Sequence, residues 1–342
     1  MNMVEWVKTQ LRNPSGNPLP VLSFPGIQLI GVTVRELVHS GELQAICMKA
    51  IADRYPTLAS VSNMDLSVEA EAFGATTRYS DDEVPSVTGR LVQSREDAER
   101  LVVRAVGTAR TGECIKAVTL ATKLIKDRPV LAGVIGPFSL AGRLMDLTEI
   151  MYMAVDEPET VHLLLEKATD FLIDYIRAFK RIGANGVVMA EPAAGLLSPD
   201  WNDEFSAPYV KRIVDAVQDE SFMVVYHNCG NVIPMMSGVV GNGAMAYHFG
   251  NAISLPDAIA RMPADRLVLG NIDPSSQFAN GTPESIRSAT LALLEKMEGH
   301  SNFILSSGCD IPPQSPLANI DAFFQAAADF EQAHEGEAEH CA

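Results

Sequence analysis

No stretch of this 342-residue chain stays apolar long enough to span a membrane, and its first residues, "MNMVEWVKTQLRNPSGNPLP", lack a basic leader followed by an apolar run. No membrane partner is expected, and the expected location is cytoplasmic. Basic residues are also short: 26 Lys and Arg stand against 43 Asp and Glu, and the formal net charge of −17 repels both nucleic acid and anionic lipid. Cysteine is sparse, scattered and odd in number (Cys47, Cys114, Cys229, Cys309, Cys341), which points to free thiols or metal ligands rather than a disulfide framework. No GxGxxG follows the first strand-like run and no GxxxxGKS/T occurs, so dinucleotide and P-loop chemistry lose their main support.

What the chain does have is apolar material, 47% of residues against 20% charged, enough for a large core. From about residue 55, short β-branched runs alternate with longer amphipathic stretches, the pattern of βα units around a parallel sheet. The runs are 58–65, 129–137, 185–192, 222–230, 243–250, 266–274 and 303–310, and the weaker "LPVLSFPG" (19–26) makes eight. That number predicts a closed (β/α)8 TIM barrel within an α/β class, preceded by an N-terminal helical and loop extension. Thr282 before Pro283 and Ser198 before Pro199 signal helix starts, and the apolar spacing from Val161 to Phe179 predicts a helix ended by Gly183. One domain over 1–342 is expected, with 1–18 as the extension. The polar tail 331–342, "EQAHEGEAEHCA", is expected to fray, leaving Cys341 and its neighbouring histidines outside any site.

Nearly every strand-like run ends in polar or reactive residues, and a parallel barrel opens all these ends onto one face. His227 and Cys229, at positions i and i+2, face one point from a single strand end, and Cys309 ends a later run on the same face. Three protein ligands with a fourth position open is the arrangement of a catalytic zinc rather than a structural one. Chance would place a His-x-Cys in such a chain about 0.1 times, which is suggestive and not decisive. The competing reading makes both cysteines small buried hydrophobes and His227 a satisfied core histidine.

"YHNCGN", followed some eighty residues later by "SSGCDIPP", resembles the zinc signature of the methylcobamide:coenzyme M methyltransferases, within the uroporphyrinogen decarboxylase superfamily. The stretches "NMDLSVEAEAFGA", "GVIGPFSLAGRLM", "AEPAAGLLSPDWNDEFSAPYVKRI" and "LGNIDP" extend the resemblance from about residue 20 to 330. It implies a Zn2+ ion held by His227, Cys229 and Cys309, and a small thiol substrate such as coenzyme M. The methyl donor it implies is a methyl-corrinoid, of methylcobalamin type, carried by a separate small corrinoid-binding protein. Three alternatives stay open: a decarboxylase-like lyase acting on a porphyrinogen, a methyltransferase whose acceptor is homocysteine or tetrahydrofolate, and a non-catalytic barrel that binds a corrinoid or docks a partner. Decarboxylases of the superfamily carry an arginine-rich "RQAGR" segment for propionate carboxylates, where this chain has only Arg35, so the lyase reading is the weaker.

Glu191 and His248 are the further catalytic candidates. Glu191 is expected to aim a carboxylate at the barrel mouth, with a solvated loop charge as the alternative. His248 stands where the family resemblance leads one to expect a carboxylate, with Asn251 close behind; a fourth zinc ligand, a group behind the ligands and simple packing are all compatible with it. Asp65, Asn271 and Asp273 are candidate cofactor-contacting residues, the last two equally suited to turn bonds within the fold, and Glu71 reads as a helix-surface charge. A sulfonate-bearing acceptor needs a cationic or amide group to recognise it. Arg143 and Arg78 are candidates for it, with nothing in the sequence to set them above the other arginines.

Overall fold

The computed structural model describes residues 1–12 and 16–340, the last six of them by backbone course alone. Its sheet is built from β1 (Ser60–Val61), β4 (Val130–Ile135), β5 (Gly186–Ala190), β6 (Met223–Asn228), β7 (Ala246–Phe249), β8 (Leu267–Ile272) and β9 (Phe303–Ser307), all parallel and paired in that order. These are the seven stronger β-branched runs. Two strands not foreseen, β2 (Thr76–Arg78) and β3 (Ser86–Thr88), form a small antiparallel hairpin in the first crossover.

The eighth run does not form a strand. Pro18, Pro20 and Pro25 have no N–H to give to a ladder, and residues 24–26 instead turn into a short 3-10 helix. The extended segment before it still closes the wall, because Leu58 donates to Pro18 O at 2.9 Å on one side and Leu19 donates to Leu305 O at 2.9 Å on the other. The result is a TIM-barrel-like α/β fold whose seam is irregular backbone.

Side chains from alternate strand positions, among them Leu131, Val188, Ala190, Val225 and Leu269, fill the barrel interior, and Met3 and Val7 join them. The first helix, Met3–Arg12, thus plugs the end opposite the strand C-termini, tied there by Met3 N to Glu220 O at 2.6 Å. A second apolar layer seals the strands against the helices. The long helix Pro158–Arg181 lays Val161, Leu165, Leu172 and Phe179 into it, as their spacing predicts, and Gly183 takes φ +91 beyond its end. Thr282 and Ser198 cap their helices through Ser285 N and Trp201 N.

The last helix, Leu317–His340, takes in the first ten residues of the polar tail, and Cys341 lies outside the described residues. Among the described residues no helix is long and apolar enough to cross a membrane.

Candidate metal centre

The strand ends converge as the barrel geometry requires. His227 is the penultimate residue of β6, Cys229 follows that strand, and Cys309 follows β9. Their ligand atoms all lie within 4.8 Å of one another, with His227 buried and both cysteines half-buried. Cys309 Sγ is 3.5 Å from His227 Nε2. Bonds of ~2.3 Å to sulfur and ~2.0 Å to nitrogen, at a tetrahedral angle, place these two ligand types about 3.5 Å apart. Two thiols and an imidazole at this spacing fit a zinc ion by softness as well as by size. Cys309 stabilises the thiolate of Cys229, which is held well below the ordinary thiol range, with His227 adding to the effect, while Cys309 itself is pushed up by its neighbour and by burial.

Local packing leaves the cluster little freedom. A Cβ on Gly250 would sit 2.5 Å from Cys229 Cα, so the loop after β7 must carry glycine there. Asn228, fully buried between the two ligands, donates from Nδ2 to Glu191 O at 2.6 Å and accepts from Gly230 N at 2.8 Å, which shapes the backbone on which Cys229 sits. Nothing in the sequence marks Asn228 beyond its place in the motif. A cavity of about 50 Å³ opens over the ligands, walled by Val21, Met64, Leu66, Ala190 and Pro192 together with Asp310.

His248 lies behind His227 and does not join the three ligands. Ser306 Oγ donates to Leu19 O at 2.7 Å, which leaves its lone pairs for His248 Nε2 at 2.8 Å. His248 Nδ1 then accepts from His227 Nδ1 at 2.6 Å, and His248 O lies 3.2 Å from the same nitrogen. A carbonyl oxygen only accepts, so the proton of His227 sits on Nδ1 and its Nε2 lone pair faces the sulfurs. Burial, with His227 as a lesser cause, holds His248 well below the ordinary imidazole range, consistent with a neutral ring.

The other candidates are placed differently from the expectation. Glu191 is fully buried, and its carboxylate accepts from Phe138 N at 3.0 Å, Ser139 N at 2.6 Å and Ser139 Oγ at 2.5 Å. It is neither aimed into the mouth nor solvated. The helix Pro137–Met145 begins after Gly136, which has no side chain to cap it, and Glu191 supplies the missing acceptor from the next strand. Asp65 is consumed in the same way: it pairs with Arg110 and accepts from Ser67 N and Ser67 Oγ at 3.0 and 2.6 Å. Arg110 also binds Glu71, and Tyr79 donates to Glu71 at 2.8 Å, so Glu71 is a half-buried partner rather than a surface charge. Sequence reading passed over Arg110 entirely. Asn271 donates to Gly250 O and Ile253 O at 3.0 Å, and Asp273 accepts from Ser275 N and Ser276 N. The turn-bond alternative describes Asp273, whereas Asn271 reaches 18 and 21 positions back and ties β8 to the loop after β7.

The profile of the family Uroporphyrinogen decarboxylase (URO-D) matches residues 25–330. A methylcobamide:CoM methyltransferase, MtbA, from Methanosarcina mazei is 30% identical over 270 residues, 78% of each chain. A uroporphyrinogen decarboxylase from Hydrogenovibrio crunogenus is 28% identical over 311 residues, 86% of this chain and 85% of its own length. Among solved structures, a methyltransferase from Methanosarcina mazei superposes with a TM-score of 0.84 at 24% identity, covering 97% of this chain and 99% of that one. The reach of the profile and the level of identity agree: the chain belongs to the uroporphyrinogen decarboxylase family.

Proposed function

We propose that the protein is a zinc-dependent methyltransferase that moves a methyl group from a methylated corrinoid, presented by a separate small corrinoid-binding protein, to a thiol acceptor such as coenzyme M. The observation that carries this reading is the convergence of His227 Nε2 and the sulfurs of Cys229 and Cys309 at the mouth of the barrel, with these three protein ligands alone in the cluster among the described residues. A zinc ion bound there would supply Lewis acidity that keeps an acceptor sulfur in its thiolate form at neutral pH, where a free thiol is mostly protonated.

The chain's own residues do the rest. His227, Cys229 and Cys309 would hold the ion, and the Leu19–Ser306–His248 chain keeps the imidazole of His227 turned with Nε2 outward. Val21, Met64, Leu66 and Pro192 form an apolar wall that limits water over the sulfurs. The relatives named as methylcobamide:CoM methyltransferases support the donor and the acceptor class.

The decarboxylase relatives share the family, but the carboxylate clamp is missing. Arg35, the single arginine of the segment 19–35, is exposed and paired with Asp81 at 2.8 Å. A porphyrinogen with several carboxylates would find no arginine cluster there.

The test is metal content of the purified protein and of Cys309→Ser, followed by methylcobalamin consumption with coenzyme M on the same samples. One zinc per chain, lost in the variant together with thiol-dependent demethylation, is the expected outcome. A metal-free protein whose methylcobalamin turnover ignores added thiol would remove the proposal.

A further inference from the structure

Arg143 is the one lysine or arginine among the described residues that is not exposed and yet has no hydrogen bond or ion pair with any other residue. It sits in the last turn of the helix Pro137–Met145, whose start is locked by Glu191. It lines a cavity of about 310 Å³ whose remaining wall is largely apolar, including Leu66, Val84, Pro85, Val87 and Pro312. This cavity has Met64, Leu66 and Asp310 in common with the small cavity above His227, Cys229 and Cys309. The sulfurs and the unpaired guanidinium therefore look into adjoining spaces.

A half-buried guanidinium carries five N–H donors, and leaving them without acceptors costs free energy that a ligand can recover. Their planar fork matches a sulfonate or carboxylate, and the same fork on an apolar floor has little to offer a neutral or cationic tail. Asp310, the acid on the common wall, is tied to Ser23 Oγ at 3.2 Å and makes no ion pair with Arg143.

We infer that Arg143 is the specificity-determining cation that receives the acid end of the acceptor thiol. This rests on the proposed thiol acceptor. Sulfur would reach the three-ligand cluster while the acid end occupies the larger cavity.

The experiment compares the zinc-loaded full-length protein with Arg143→Gln and Arg143→Lys by isothermal titration. The probes are 2-mercaptoethanesulfonate, 3-mercaptopropionate and 2-mercaptoethanol. The wild type is expected to prefer an acid-tailed thiol to the neutral one by about tenfold or more in Kd, the stronger of the two acids identifying the tail. Arg143→Gln should collapse that preference to within about twofold, with Arg143→Lys restoring part of it. A preference retained in Arg143→Gln overturns the inference, as does a loss of melting temperature in that variant with discrimination intact, the result expected if Arg143 serves only its helix terminus.

A second arm uses ethanesulfonate, which has no thiol, observed by saturation-transfer NMR on metal-free protein. Arg143-dependent binding of ethanesulfonate, with no heat from any thiol, would uphold the anion subsite and sink the thiol acceptor. Ethanesulfonate binding equally to wild type and Arg143→Gln, or to neither, sinks the subsite.

Discussion

His248 Nδ1 lies 2.6 Å from Nδ1 of His227, and that contact decides which nitrogen of His227 faces the two sulfurs. The chain runs from Leu19 O through Ser306 Oγ and His248 to His227, so an irregular seam segment sets the tautomer of a ligand on β6. Orienting groups of this kind are worth 10–100-fold in metal affinity. His248→Ala should therefore weaken zinc about 10–100-fold in competition with a chromogenic chelator. His248→Gln should recover much of the loss, since its amide oxygen can accept from His227 and its nitrogen can donate to Ser306. Equal affinity in wild type and His248→Ala would return His248 to packing.

Cys229 and Cys309 differ from Cys47, a thiol buried among apolar side chains, whose one hydrogen bond among the described residues is to Ser23 O at 3.5 Å and which burial pushes up to about 12. Cys229→Ala and Cys309→Ala should each abolish stoichiometric zinc and leave far-UV circular dichroism intact, because the barrel wall is built from backbone ladders that neither side chain enters. Cys47→Ala should keep its zinc. Full zinc occupancy in the first two variants would dissolve the cluster as a site.

Much of this architecture was legible from residue order. Seven β-branched runs became the seven strands, because a parallel sheet covered on both faces accepts apolar side chains at every position and leaves the polar residues for the strand ends. The proline-rich eighth run kept its place in the wall but not its ladder, for want of N–H groups. The ligands were legible because two share one strand end and the third a like position on β9, so the fold alone brings them together. Glu191 and Asp65 were not, although they look similar on paper. Their partners, the uncapped helix start after Gly136 and the guanidinium of Arg110, lie 52 and 45 positions away, and pairing at that range leaves no local pattern.

The Arg110 cluster makes a separate prediction about stability. The side chains of Arg110 and Asp65 are 5% and 3% exposed, and Arg110 also holds Glu71 and Ser67 beneath the ring of Tyr79. Removing one partner of a buried pair strands the other charge, at a cost of roughly 3–5 kcal/mol. Arg110→Ala should lower unfolding free energy by about that amount in urea titration, without loss of zinc from the folded fraction. A change below ~1 kcal/mol would mean that water reaches Asp65 and Glu71 freely.

Glu69 gives the fold a pH dependence of definite sign. It is fully buried, one carboxylate oxygen accepts from Ile135 N at 3.0 Å, and the other has no partner. Burial pushes its carboxyl up to about 7 from 4.5, the nearby Asp65 adds a little, and the Ile135 N–H and Arg110 act in the opposite direction. Below pH 4.5 folded and unfolded chains both hold the proton, and no difference arises. As pH rises, the unfolded chain releases it first, so stability falls by ~1.4 kcal/mol per unit until the folded group also ionises, a loss of ~3 kcal/mol. Glu191, pushed up to about 7 by burial against its three donors, acts with the same sign, so the Glu69 share must be read as a difference between proteins. Glu69→Gln keeps an acceptor for Ile135 N and removes the titration. Its unfolding free energy, measured from pH 5 to 8, should fall less steeply than that of the wild type by ~2.5 kcal/mol across the range, and parallel curves would show that Glu69 is already ionised in the folded protein at pH 5.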